Sequence, residues 1–210
     1  MSAHTNACVW HLLRTFTCAA TVKNMTIYFL CGPAGAGKTT LGKALAAHLH
    51  ATFLDKDDLA RPLVEGMNQA VGLDPDCREG DLYVRHVRPR EYQGLHRAIF
   101  SAAQYVAHVV CIAPWGLEVR NSDWVHGMQA RAALAGHSLV LCWVHCDDEI
   151  RRERLERRGD PADAEKLRYW DSHAQIEAPD CVDVAIDTSA GATGDHVDAL
   201  LAHLSRTGSW

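Results

Sequence analysis

The segment that most constrains this chain is Gly32-Pro33-Ala34-Gly35-Ala36-Gly37-Lys38-Thr39. It matches the pattern G-x-x-x-x-G-K-[ST] through Gly32, Gly37, Lys38 and Thr39. With glycine at about 7% of average composition, the pattern arises by chance in under about 1% of chains this long. Each residue type has a physical task. Glycines let successive backbone N–H groups turn inward around phosphate oxygens. The helix that follows aims its N-terminal amides and its dipole at the same anion. Lys38 neutralises the β- and γ-phosphates of ATP, and Thr39 offers its hydroxyl to Mg²⁺. Gly32 through Thr39, together with Thr40, are the expected nucleotide-phosphate residues, and Lys38 is expected to be catalytic as well.

The loop lies in the right context. Thr26 to Cys31 is an apolar run rich in β-favouring residues and reads as a buried strand. Lys38 to His50 carries Leu41, Ala44, Leu45 and Leu49 at helical spacing. Further strands are expected at 52–54, 108–112, 138–145 and 182–186. Helices are expected at 59–70 capped by Asp57 or Asp58, at 90–106 begun near Pro89, and at 122–135 capped around Asn121. Others follow at 148–158 after Asp147, at 161–176, and at 195–206. Residues 72–81 read as a loop. Strands alternate with helices throughout, which calls for a five-stranded parallel sheet covered on both faces.

Composition narrows the class. The chain of 210 residues suits one domain and carries a formal net charge of −5, which argues against a nucleic-acid partner. Eight cysteines are present without a CxxC pair. Cys31, Cys111, Cys142 and Cys181 sit in or beside strand-like runs, where free cysteine behaves as a small hydrophobe. Reduced core thiols imply a cytoplasmic protein. Cys142, His145 and Cys146 would not share a strand face, and no zinc site is assigned. No run reaches the ~18 apolar residues of a membrane span. Residues 1–24 fit a signal peptide poorly and are expected to be an extension before a single domain at 25–210.

Two charged clusters move the reading from binding towards transfer. Asp55, Asp57 and Asp58 follow the second strand, at the edge where ligands bind in an open α/β sheet. Phosphoryl transfer to an alcohol needs a group that orients the hydroxyl and oxygen ligands for Mg²⁺. Asp57 is the candidate orienting residue, and Asp55 the candidate substrate and metal ligand beside Thr39. Asp57 and Asp58 could equally serve as helix caps. Arg154 and Arg158, four apart, share a helix face that leads into Gly159-Asp160-Pro161, an expected lid. One could stack on adenine and the other clamp the γ-phosphate.

On these residues the chain resembles the P-loop small-molecule kinases of the nucleoside-monophosphate-kinase-like class. The matched elements are Gly32 to Thr39, the aspartates at 55–58, Arg154 with Arg158, and Asp187-Thr188 after the fifth strand. It looks closest to the gluconate- and shikimate-kinase-like group, which includes AAA-type kinases of unassigned substrate. The resemblance implies a three-layer P-loop NTPase fold with a small lid at about 154–170 and acceptor-binding helices at about 59–106. It implies acceptor contact at Asp57, adenine and phosphate contacts at Arg154 and Arg158, and an adenine-side position for Thr188. The third strand ends Ile112-Ala113-Pro114-Trp115, with no carboxylate for the metal.

The acceptor region holds Arg85, Arg88 and Tyr92, which suggest an anionic acceptor; a surface stretch balanced by Glu79, Asp81 and Glu91 reads equally well. Trp115 could wall the acceptor pocket or belong to the core. The expected activity is transfer of the γ-phosphate of ATP to a hydroxyl of a small metabolite. The alternatives are a nucleic-acid end kinase or toxin-like nucleotide-sugar kinase, and a non-enzymatic nucleotide-binding regulator.

Overall fold

The computed structural model describes residues 25–207, apart from 79 and 175. The expected extension at 1–24 lies outside the described residues.

Five strands form one parallel sheet in the order β2-β3-β1-β4-β5. They are β1 (Thr26–Cys31), β2 (Thr52–Asp55), β3 (His108–Ile112), β4 (Ser138–His145) and β5 (Val184–Asp187). Helices α1 (Lys38–Leu49) and α8 (Thr193–Thr207) cover one face, while α3 (Arg88–Ala102) and α4 (Ser122–Leu134) cover the other. Alternation along β1 explains the two layers. Tyr28 and Leu30 pack with Leu41, Leu45, Leu200 and Leu204. Ile27, Phe29 and Cys31 pack with Leu95, Ile99, Val125 and Met128. Each fully buried leucine contributes about 1.5–3 kcal/mol. Cys31, Cys111 and Cys142 are buried free thiols within these layers, and Cys181 packs at the edge of one.

Trp115 belongs to the core. Its ring stacks on Phe29 with centroids 4.3 Å apart, and its backbone N–H donates to the Tyr92 hydroxyl at 3.3 Å. It therefore supports the cleft residue Tyr92 from behind rather than walling the pocket.

Several elements depart from expectation. Helix α2 (Lys56–Ala70) starts three residues early, because Asp55 rather than Asp57 or Asp58 caps it, accepting from the Asp57 N–H at 2.9 Å. A π-helical turn, Tyr83–Val87, precedes α3, and α3 ends at Ala102 rather than 106. Strand β5 is shifted to 184–187, because Asp183 engages Leu141 through both its N–H and its carboxylate ahead of the strand. The expected helix 161–176 is broken into a 3₁₀ turn (Pro161–Asp163) and the short helices α6 (Ala164–Arg168) and α7 (Trp170–His173). Here side-chain bonds compete with the ladder: Asp160 accepts from Ala162 N–H, and Asp163 is pulled inward by Arg158 and Lys166.

The end of β1 is tightly hemmed in. Gly32 has φ +138°, and a Cβ there would fall 2.1 Å from the Val144 carbonyl oxygen on β4. Only hydrogen fits. Gly32→Ala is expected to lower stability by about 2–4 kcal/mol through backbone strain and overpacking, read as a lower denaturant midpoint. An unchanged midpoint would contradict this close approach.

Candidate active site

The loop between β1 and α1 sits at the carboxyl ends of the strands. Its last glycine, Gly37, caps α1 in the left-handed region, so α1 begins at Lys38 and points its amides into the loop. The Lys38 ammonium donates to the carbonyls of Gly32 (2.8 Å) and Pro33 (2.7 Å), which hold it across the loop. Burial pushes its pKa down to about 8, against the opposing pull of Asp57.

Helix α5 (Asp148–Arg158) and the residue after β5 brace this loop. The Thr188 hydroxyl donates to the Ala36 carbonyl at 2.9 Å. Arg154 donates to that hydroxyl at 3.0 Å and to the Thr188 carbonyl at 2.8 Å, with a longer contact of 3.5 Å to the Gly35 carbonyl. Arg154 and Thr188 thus tie α5, the loop and the end of β5 together. Gly35 lies directly under α5; a Cβ would come within 2.8 Å of the Arg151 carbonyl.

The acidic segment stands opposite. Asp55 pairs in register with Ile112 at the end of β3. Its carboxylate accepts from the Thr39 hydroxyl at 3.4 Å. Burial raises the Asp55 pKa, outweighing the hydrogen bond from the Asp57 N–H. Thr39 and Asp55 together offer hard oxygen donors of the kind Mg²⁺ accepts beside nucleotide phosphates and water. Asp55 is thus one strand away from the position where β3, ending in Ala113 and Pro114, supplies no carboxylate. Among the described residues no cluster of three His, Cys, Asp or Glu could hold a metal alone.

Asp57 lies one residue into α2. Burial pushes its carboxyl up, but Lys56, aided by Lys38 and Arg78, outweighs this and holds it below the usual carboxylate range. It is therefore a hydrogen-bond acceptor at neutral pH.

Gly35, Gly37, Lys38, Thr39, Thr40, Asp55, Asp57, Arg154 and Thr188 line one cleft of roughly 680 Å³, whereas Gly32, Pro33 and Ala36 do not reach its surface. Arg88 and Tyr92 line one side of it. Arg88 is held in a two-pronged pair with Glu118 (2.6 and 2.9 Å) and lies 4.3 Å above the Tyr92 ring. Arg158 lines the opposite wall, bound through Nε (2.9 Å) and Nη2 to Asp163, which Lys166 also holds. Arg85 is not brought to this cleft. It points outward and pairs with Asp81 at 3.0 Å on the surface. Asp58 does not line the cleft either.

Lys56, Arg61 and Arg78 also line the cleft, with no role assigned to them in the sequence reading. Arg61 reaches across the cleft lining, donating to both oxygens of Asp160 (2.8 and 3.0 Å) and to Glu65 (2.9 Å). Its spacing of four from Asp57 was a readable signal, since both then share one face of α2. Lysine and arginine outnumber aspartate along the cleft walls.

A parallel sheet of this order, with a phosphate-cradling loop after its first strand and a cation-lined cleft beyond it, defines a P-loop nucleotide-binding fold. The AAA domain family matches residues 27–179, and the chain belongs to that family. It is similar to an adenylyl-sulfate kinase from Paraburkholderia xenovorans (strain LB400), 28% identical over 195 residues that span 87% of this chain and 94% of the relative. It is also similar to a shikimate kinase from Salinispora arenicola (strain CNS-205), 31% identical over 131 residues, 60% of this chain and 64% of that one. A gluconokinase from Sinorhizobium meliloti 1021 shares the fold at TM-score 0.56 and 20% identity, over 88% of this chain and 94% of its own. Among the described residues no helix is long and apolar enough to cross a membrane.

Proposed function

We propose that the chain is an ATP-dependent phosphotransferase that moves the γ-phosphoryl of ATP to a hydroxyl of a small anionic metabolite. The observation that carries this reading is the single cleft shared by Lys38, Thr39, Asp55, Asp57 and Arg158. A binding protein needs the loop but has no need of an ionised carboxylate facing it. Family relatives that are small-molecule kinases support the same reaction class.

The residues divide the work by position. The loop amides and Lys38 hold the phosphates, and Lys38 balances charge as the phosphoryl moves. Thr39 and Asp55 would hold Mg²⁺, which would neutralise phosphate charge. Asp57 orients the acceptor hydroxyl and accepts its hydrogen bond. Arg158 borders the loop from the lid; Lys166 can keep Asp163 neutralised when Arg158 turns to phosphate. Arg88 and Arg78 make the acceptor side cationic, which fits a carboxylate or phosphate on the acceptor. The proposed working unit is 25–210, with acceptor helices at about 59–106 and a lid at about 154–170.

An ATP-consumption screen tests the proposal across sugars, sugar acids, nucleosides, aminocyclitols and antibiotics. ADP release that depends on one added acceptor supports it. ATP binding without acceptor-dependent ADP release across that set would instead mark a nucleotide-binding regulator.

A pH dependence follows from Lys38. Polyphosphate favours the ammonium, so its pKa rises from about 8 on nucleotide binding. Below pH 8 the free enzyme is already charged and affinity is flat. Above it, ATP affinity is expected to fall by up to about tenfold per pH unit, with proton uptake on binding. Titration calorimetry between pH 7 and 9.5 checks this, and flat affinity over that range would contradict it.

A further inference from the structure

The first residue of α2 presents an unusual arrangement. Lys56 is 5% exposed, and a buried ammonium needs close anionic partners. It has two. Its Nζ lies 2.9 Å from Asp57 Oδ1 and 3.0 Å from Glu91 Oε1. Glu91, on α3, is itself buried, and its other oxygen accepts the Tyr83 hydroxyl at 2.5 Å. The Tyr92 ring lies 6.0 Å from the ammonium. Residues from α2, the π-helical turn and α3 thus converge on one charge, whose other contact is a carboxylate in the cleft.

We propose that Lys56 is a positioning residue: anchored from behind by Glu91 and Tyr83, it fixes the Asp57 carboxylate as an acceptor facing the acceptor side of the cleft. The importance of this for catalysis rests on the proposed role of Asp57. With Oδ1 engaged by Lys56, Oδ2 is the oxygen left for an acceptor hydroxyl. The geometry also explains the buried Glu91. It completes the neutralisation of Lys56 without competing for the cleft, because it approaches from the α3 side.

A purely structural alternative exists, in which Lys56 merely neutralises Glu91. The two are separated by crystal structures of the full chain and of its variants, read at the side-chain rotamer of Asp57. Asp57 also faces Lys38 from α1, Arg78 from the loop after α2, and its neighbours Asp55 and Asp58. All four are left intact.

In the double variant Lys56→Met/Glu91→Gln, which strands no buried charge, the Asp57 carboxylate is expected to leave the rotamer that Lys56 holds. Lys56→Arg, which keeps the charge, is expected to hold Asp57 in place. A double variant that retains its unfolding midpoint and still shows Asp57 in the unaltered rotamer would overturn the proposal. So would an arginine variant displaced as far as the double. The comparison needs neither acceptor nor turnover, so a failed acceptor screen leaves it standing, and an unmoved Asp57 leaves the phosphotransferase reading standing.

Discussion

Lys38→Met is expected to reduce acceptor-dependent ADP production by about 10²–10³-fold or more, with the unfolding midpoint nearly unchanged. Methionine keeps much of the length of the side chain and removes the charge. Two hydrogen bonds are lost, to the carbonyls of Gly32 and Pro33. Both bonds are only partly buried, so water can take the place of the donor and the fold loses little. The transferring phosphoryl loses far more, because the ammonium meets it in a site partly shielded from water, where charge is worth most. Steady-state ADP release measures the effect. Turnover within tenfold of the unaltered chain would sink the assignment of Lys38 to the chemistry.

The same loop meets Asp55 at the edge of the sheet where β3 ends without a carboxylate. Register places Asp55 of β2 beside Ile112 of β3, and the Thr39 hydroxyl reaches it across the cleft. An oxygen pair is therefore assembled from neighbouring elements rather than from the central strand. The far wall differs between its two arginines. Arg154 braces Thr188 and the loop, whereas Arg158, which lines the same cleft, is bound to Asp163.

The sequence was informative wherever one segment decided its own structure. The strands at 26–31, 108–112 and 138–145 are near-continuous apolar runs, as burial on both faces of a parallel sheet requires. Gly32 to Thr39 and the Arg154/Arg158 spacing were legible for the same local reason. The rest depended on partners far away in the chain. The sequence offers Asp57 or Asp58 as the cap of α2, yet Asp55, placed at the end of β2 beside Ile112, takes that role. The π-helical turn at 83–87 exists because Tyr83 and Val87 bury against Val64 on α2. Arg85 and Arg88 look alike in sequence; Glu118, thirty residues on, draws Arg88 to the cleft while Asp81 holds Arg85 outside it. The Arg61–Asp160 contact joins residues 99 positions apart and has no local signature. Glu91 was legible only as a surface counter-charge, and its burial follows from Lys56 and Tyr83 arriving from two other elements.

Asp57→Asn should separate binding from transfer. The amide keeps the shape of the carboxylate but is a poor acceptor for a reacting hydroxyl, so acceptor-dependent ADP release is expected to fall by about 10²–10³-fold. ATP affinity should change little, because the loop amides and Lys38 hold the nucleotide without Asp57. A small change has a defined sign: Asp57 supports the Lys38 ammonium, and its loss lowers the Lys38 pKa further, moving the alkaline fall in ATP affinity to lower pH. Calorimetry and turnover measured on the same preparation distinguish the cases. If turnover survives in Asp57→Asn while Lys38→Met is dead, another group orients the acceptor, and the mechanism must be rebuilt around the arginine-lined wall. If both ATP binding and turnover vanish, Asp57 acts chiefly through Lys38, and the division of labour between the two sides of the cleft is wrong. Retained binding with lost turnover is the pattern that a cleft with separate phosphate and acceptor sides demands.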